Sequence, residues 1–276
     1  MAGNPNVRLR FLNRPENVLL VRQALNGLAE ALEMDALELN DVTTAVTEAC
    51  NNVVLHAYGG EEGPLEVELS APPGELGVVV RDRGLGLRPG AEADEHLSGG
   101  IGLPVIHALS SRVELRDVAG GGTEVEMRFA TGAGRSFTEP QARAELVVAD
   151  GSPSSSDTAL LTVAPAPVAG SVLPRVLSAL AARAYFPTDR IRDAQTLVEV
   201  LLERIDGSVT ASHLEIAITV VPHSLELRIG PLESGRAGRL LEAAPSANLS
   251  PLLERLGVGQ EVSGETLAVR LAGGRT

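Results

Sequence analysis

The run Thr44-Ala-Val-Thr-Glu48-Ala-Cys-Asn-Asn52-Val-Val-Leu-His56-Ala-Tyr58 decides how the rest of the chain is read. Its apolar residues recur at helical spacing, so a helix is expected from about Leu39 to His56, capped by Asn40 or Asp41. Glu48, Asn52 and His56 stand at successive i, i+4 positions, which places all three on one polar face of an otherwise apolar helix. Upstream, Val7, Leu9 and Phe11 alternate as a short strand, and Pro15 opens a helix with Val18, Val21, Leu25, Leu28 and Leu32 on its apolar side. Downstream, strands are expected near Leu65 to Ser70 and Leu76 to Arg81, separated by the Pro72-Pro73-Gly74 turn. A helix follows from about Leu103 to Leu109, and Val113 to Leu115 and Val125 to Phe129 close the unit as a hairpin around Gly120-Gly121-Gly122. Helices grouped beside a mostly antiparallel sheet define an α+β class, a two-layer α/β sandwich.

Four elements of this unit bear residues with chemical use. Asn52 offers a neutral amide oxygen to a magnesium ion whose other positions water and phosphate oxygens fill. Glu48, one turn earlier, has the chemistry to orient or deprotonate a hydroxyl that attacks a phosphoryl group. From the helix alone, a frayed end at Asn51 and Asn52 with a solvated Glu48 is the stronger reading. Val78-Val79-Val80-Arg81 delivers Asp82 at a strand end, followed by Arg83-Gly84-Leu85-Gly86. A carboxylate there can accept a hydrogen bond from an exocyclic amine, and the glycines let the backbone pass close to a ligand; Asp-Arg-Gly also makes ordinary turns. Ser98-Gly99-Gly100-Ile101-Gly102-Leu103 leads directly into a helix, where backbone amides suit phosphate. Gly122-Thr123 sets a hydroxyl before the last strand, or is simply a hairpin turn.

Composition removes competing classes. The 276 residues include 36 acidic and 23 basic side chains, for a net charge of -13, which repels nucleic-acid backbones and anionic lipid. Every basic residue is arginine, so Walker-type phosphate loops, eukaryotic-type protein kinases and Schiff-base chemistry, all of which place a lysine, are excluded. Cys50 is the single cysteine, which forbids an internal disulfide. The start Met-Ala-Gly-Asn-Pro-Asn-Val-Arg has no apolar signal region and no membrane-length apolar run follows, so a cytoplasmic protein is expected.

The plan occurs twice. Leu9, Pro15, Leu25, Leu28, Ala29, Asp41, Thr44 and Val46 match Leu161, Pro167, Leu177, Leu180, Ala181, Asp193, Thr196 and Val198 at a constant offset of 152. The register resumes at 149 with Leu65, Glu66, Pro73, Leu76 and Gly86 facing Leu214, Glu215, Pro222, Leu225 and Gly235. Two homologous domains, 1–130 and 158–276, joined by a linker at 131–157, are expected. At the positions of Glu48 and Asn52 the second copy carries Val200 and Arg204, and at those of Asp82 and Gly84 it carries Pro231 and Glu233. Its core pattern persists while its site residues are gone.

Taken in order, Glu48 to Tyr58, Asp82-Arg-Gly84-Leu-Gly86, Gly100-Ile-Gly102-Leu103-Pro-Val-Ile106 and Gly122-Thr123 resemble the asparagine box, glycine boxes and closing Gly-Thr of the GHKL superfamily of ATP-binding domains. Within it they are most similar to the anti-sigma factor serine/threonine kinases of bacterial partner-switching systems. The resemblance covers about residues 7 to 130. It implies the Bergerat fold with ATP and Mg2+ as ligands, magnesium on Asn52, the adenine amine on Asp82, and Glu48 as catalytic base. It also assigns nucleotide contacts to Gly84, Gly86, Gly100, Gly102, Leu103 and Thr123. His56 fits the branch pattern and is expected to pack. The segment Leu87 to Leu97 departs from the pattern in being short and acidic, with Arg88 its only arginine.

The function implied is phosphorylation of a small anti-anti-sigma-like protein, with a sigma factor as a further partner. The alternative is a nucleotide-gated binding module without phosphotransfer. A sensor histidine kinase would need a phospho-accepting helix before Val7, and a gyrase- or chaperone-type clamp a transducer lysine; both are disfavoured. Because kinases of the resembling branch pair as homodimers, the degenerate copy is expected to take the second protomer's place. The chain would then be an intramolecular pseudo-dimer and a monomer.

Overall fold

The computed structural model describes residues 5–86, 102–132, 134–137, 157–205, 209, 213–233, 235, 240 and 249–274. The chain divides into two compact units, Met1–Glu139 and Pro140–Thr276.

In the first unit, β1 (Val7–Leu12) leads through a 3-10 turn at Pro15–Asn17 into α1 (Val18–Leu32) and then α2 (Ala36–Asn52). Next come β2 (Pro64–Ser70), β3 (Glu75–Asp82), α3 (Gly102–Leu109), β4 (Arg112–Asp117) and β5 (Thr123–Ala130). The strands form an antiparallel sheet in the order β4-β5-β3-β2-β1. Period-2 alternation turns Val7, Leu9, Phe11, Leu65, Val67, Leu69, Val78, Val80 and Met127 inward, all buried. Helical spacing presents Val21, Leu25 and Leu28 of α1 and Val42, Val46 and Cys50 of α2 to the same core. The opposite side of the sheet is a lattice of arginine and glutamate: Arg81 bonds Glu66 at 3.0 Å and Glu124 at 2.7 Å, and Arg8 bonds Glu68 at 2.6 Å. Burial raises the Glu66 pKa, the neighbouring Glu68 charge adds to the rise, and Arg8, Arg81 and Arg10 oppose it.

Helix α2 begins earlier than the sequence reading placed it. Its cap is Asp35, not Asn40 or Asp41: Asp35 is extended (φ -65°, ψ 146°) and its carboxylate accepts from Leu37 N at 2.7 Å. Glu38 three residues on completes an acidic version of the capping-box spacing, the signal that would have located the start. The α-helical hydrogen bonding also ends at Asn52, and Val53–Ala57 form a π-turn.

The second unit runs β6 (Thr158–Val163), a 3-10 turn at Ala166–Val168, α4 (Ala169–Arg183), α5 (Thr188–Ile205), β7 (Leu214–Val221), β8 (Ser224–Gly230), α6 (Leu249–Arg255), β9 (Gly259–Ser263) and β10 (Thr266–Ala272). Its antiparallel order β6-β7-β8-β10-β9 follows the first unit's β1-β2-β3-β5-β4 strand for strand. Backbone details keep the same registers. Glu33 (φ 59°) falls opposite Tyr185 (φ 61°) at offset 152, and Gly74 (φ 74°) and Gly86 (φ 73°) fall opposite His223 (φ 59°) and Gly235 (φ 77°) at offset 149. A left-handed Glu, Tyr or His is uncommon, so two of these three positions keep the conformation without glycine's freedom.

Beyond β5, Thr131 N donates to Gly74 O, Gly132 N to Glu38 Oε1 and Phe137 N to Ala71 O, which fastens these three residues to the first unit. Residues 138–156 lie outside the described residues.

Candidate functional site

Glu48 and Asn52 project from the last turns of α2, both half-buried. Gly102, the first residue of α3, lies against them. A Cβ built on Gly102 would stand 3.3 Å from Glu48 Oε2 and 3.4 Å from Asn52 Oδ1. The start of α3, where a helix leaves its first amides without intrahelical partners, is thereby brought to the carboxylate and amide of α2. Ile106, fully buried one turn on, anchors α3 beneath this contact, while Leu103 is 43% exposed.

Asp82 ends β3 with its side chain inward, 3% exposed. Its Oδ1 accepts from Gly84 N at 2.8 Å, and the carboxylate also accepts from the backbone amide and the hydroxyl of Thr123. A carboxylate offers about four acceptor positions, so among the described residues these three bonds leave one over. Burial raises its pKa, and the bonds from Gly84 and Thr123 oppose that rise. Thr123 begins β5, one register step beyond the Arg81–Glu124 pair, which is why a hydroxyl so distant in sequence meets this strand end.

The glycines are demanded by proximity. At Gly84 a Cβ would overlap the Ala57 carbonyl, and at Gly122 (φ 99°) it would overlap Asp82 O. Gly86 (φ 73°) has Asp117 Oδ1 at 3.2 Å from its Cβ position. These contacts bring Asp82, Gly84, Gly86 and Thr123 together, while Glu48, Asn52 and Gly102 make a second cluster. Gly100 and the segment Leu87 to Leu97, including Arg88, lie outside the described residues.

His56 does not pack as expected. The π-turn breaks the i, i+4 series after Asn52, so His56 leaves the polar face and is exposed. The sequence reading gave no role to Tyr58, whose hydroxyl donates to Pro64 O at 2.5 Å and accepts from Arg83 N at 2.8 Å.

In the second unit, Arg204 at the Asn52 position donates to Leu240 O at 2.9 Å. Val80 pairs with Val125 in one unit and Ile229 with Leu267 in the other, so Glu265 occupies the position of Thr123, and Pro231 that of Asp82. A cavity of about 300 Å3 in this unit, floored by Leu202, Ile205 and Leu214, shares no residue with the constellation. Glu199 and Glu203 on its lining would repel phosphate. Among the described residues no helix is long and apolar enough to cross a membrane, and no group of three or more His, Cys, Asp or Glu is placed to hold a metal.

Residues 11–129 match the family model of the histidine kinase-like ATPase domain. An anti-sigma F factor from Clostridium perfringens is 29% identical over 131 residues, 44% of this chain and 94% of its own length. An anti-sigma F factor from Caldanaerobacter subterraneus is 27% identical over 143 residues, 49% of this chain and the whole of its own length. A crystal structure of RsbU and RsbW domains from Mycobacterium tuberculosis is 20% identical, covering 48% of this chain and 34% of that one, with a TM-score of 0.36. The N-terminal unit carries a histidine kinase-like ATPase domain of the GHKL type.

Proposed function

We propose that the N-terminal unit binds Mg-ATP and transfers its terminal phosphate to a serine or threonine of a small anti-anti-sigma-like protein, within a cytoplasmic partner-switching system that also involves a sigma factor. The observation that carries this reading is the approach of Gly102 to Glu48 and Asn52. It gathers a helix start suited to phosphate, an amide oxygen suited to magnesium and a carboxylate suited to a proton at one place. The near-complete alignment with proteins named anti-sigma F factor supports the same direction.

The residues present fit both ligands. The acceptor position left on Asp82 among the described residues matches the adenine amine; the missing Cβ at Gly84 and Gly122 lets the backbone close around Asp82, and the missing Cβ at Gly102 brings the start of α3 to Glu48 and Asn52. Asn52 would hold Mg2+, which when bound supplies charge neutralisation on the phosphates. Glu48 orients the partner's hydroxyl and takes its proton as the oxygen attacks the terminal phosphorus. The bond to the bridging oxygen breaks, and ADP leaves with that electron pair. Because the base acts on transfer more than on ground-state binding, Glu48→Gln retains ATP affinity and loses phosphorylation. Incubation of the chain and its Glu48→Gln variant with labelled ATP and an anti-anti-sigma-like protein tests this. Absence of transfer by the unmodified chain, with ATP bound, replaces the kinase with a nucleotide-gated binding module.

The C-terminal unit, on this reading, is a degenerate copy of the first that binds no nucleotide and serves as a built-in second protomer. The shared strand order and shared left-handed positions support common descent. The Arg204, Pro231 and Glu265 replacements support loss of the site.

A further inference from the structure

Strands β2 and β3 pair with Leu65 facing Asp82, so one step further along the ladder Pro64 faces Arg83. The Tyr58 hydroxyl links these two residues, donating to Pro64 O at 2.5 Å and accepting from Arg83 N at 2.8 Å. A phenol oxygen thus stands where the strands would otherwise continue their pairing. Both of its hydrogen-bonding roles are used, and no other side chain type of this length supplies a donor and an acceptor on one atom from a rigid ring.

The ring is held in turn. A Cβ at Gly63 would overlap Tyr58 Cε1, Cζ and Cδ1, so the glycine leaves the space that the ring occupies. The preceding residue joins the same loop: Leu85 N donates to Ala57 O at 2.8 Å, and Gly84 packs on that carbonyl. The strand end Asp82-Arg83-Gly84-Leu85 is therefore suspended from Ala57 and Tyr58. Those two residues end the π-turn that continues the helix of Glu48 and Asn52. Extra residues of this kind in a helix recur at functional sites, where they redirect the chain beyond them.

We propose that Tyr58 is a positioning residue for base recognition: its hydroxyl turns the end of β3 away from β2 and fixes the direction of the Asp82 carboxylate's remaining acceptor position. The inference rests on the reading of Asp82 as the acceptor for the adenine amine. It predicts a defect confined to the contact that Asp82 makes. Tyr58→Phe removes one oxygen and keeps the ring on Gly63. Strand β3 then pairs one step further with β2, and the carboxylate no longer points to an amine.

The test compares ATP with inosine triphosphate, which carries an oxo group in place of the exocyclic amine. Affinities for both are measured by calorimetry on the full chain in magnesium, with circular dichroism confirming that Tyr58→Phe folds. The wild type is expected to prefer ATP. In Tyr58→Phe the ATP affinity falls by roughly three- to tenfold, the size of one lost hydrogen bond, while inosine triphosphate binding is unchanged, so the preference shrinks. If both affinities fall equally and the preference is kept, Tyr58 is merely structural and the inference is overturned, with the reading of Asp82 intact. If the wild type itself shows no preference, the Asp82 reading fails first. Should Tyr58→Phe not fold, Gly63→Ala, which pushes the ring aside while keeping its hydroxyl, is measured in its place. There too a retained preference overturns the inference and a shrunken one supports it.

Discussion

Gly102 is held so close to Asn52 that its hydrogen faces the amide, with 3.4 Å between a Cβ position and Oδ1. Glu48 Oε2 lies at 3.3 Å from the same point. Gly102 opens α3 without a left-handed φ, so alanine there meets no backbone strain, and its cost falls on the contact with Glu48 and Asn52. Gly102→Ala is expected to leave the melting temperature within about 4 °C of wild type and to weaken ATP binding by roughly tenfold. Differential scanning fluorimetry with and without nucleotide measures both.

Asp82 gives a pH signature. Its folded pKa is raised by burial, so the native state holds this proton to higher pH than the unfolded chain does. The associated stability is fully present below the unfolded pKa and is lost as pH rises through the folded value. In urea unfolding followed from about pH 4 upward, the stability of wild type relative to Asp82→Asn is expected to fall as pH rises. In the same window, wild-type affinity for ATP grows with pH as the acceptor ionises. Identical slopes for the two proteins would remove this account of Asp82.

Cys50 lies on α2 between Glu48 and Asn52, yet on the buried face, where desolvation pushes its thiol pKa up to about 12. The thiolate is the reactive form, so iodoacetamide at pH 8 is expected to label the chain only after denaturation. Labelling of native protein at the rate of a free thiol would show that α2 is not packed as described.

Much of the fold was legible in the sequence, and the exceptions have physical causes. The alternation of Val7, Leu9 and Phe11 and the 3.6-residue spacing in α1 are set by burial, which residue type reports directly. Asn40 and Asp41 are cap residue types as good as Asp35, and what distinguishes Asp35 is Glu38 three residues on together with its extended backbone. His56 was misjudged because i, i+4 spacing presumes an unbroken α-helix, and the π-turn after Asn52 is a hydrogen-bonding choice that composition does not encode. The bonding of Asp82 to Thr123 depends on the β3–β5 register, a long-range fact. Glycine patterning, by contrast, was informative: Gly84, Gly102 and Gly122 each border an atom that a Cβ would crowd.

The pseudo-dimer predicts a monomer. Light scattering coupled to size exclusion at micromolar concentration is expected to give the mass of one chain, 28.7 kDa. Interdomain crosslinks should form within that species. A stable two-chain mass built through the N-terminal units, or independent unfolding of the two halves without crosslinks, contradicts it.

The central claim is one Mg-ATP per chain, held by the N-terminal unit, and calorimetric titration of the full chain with ATP in magnesium tests it most directly. The account predicts a stoichiometry of one, with affinity reduced at least roughly tenfold by Asn52→Ala and by Asp82→Ala, and unaffected by Arg204→Ala. No binding, two sites per chain, or wild-type affinity in both N-terminal variants would contradict it.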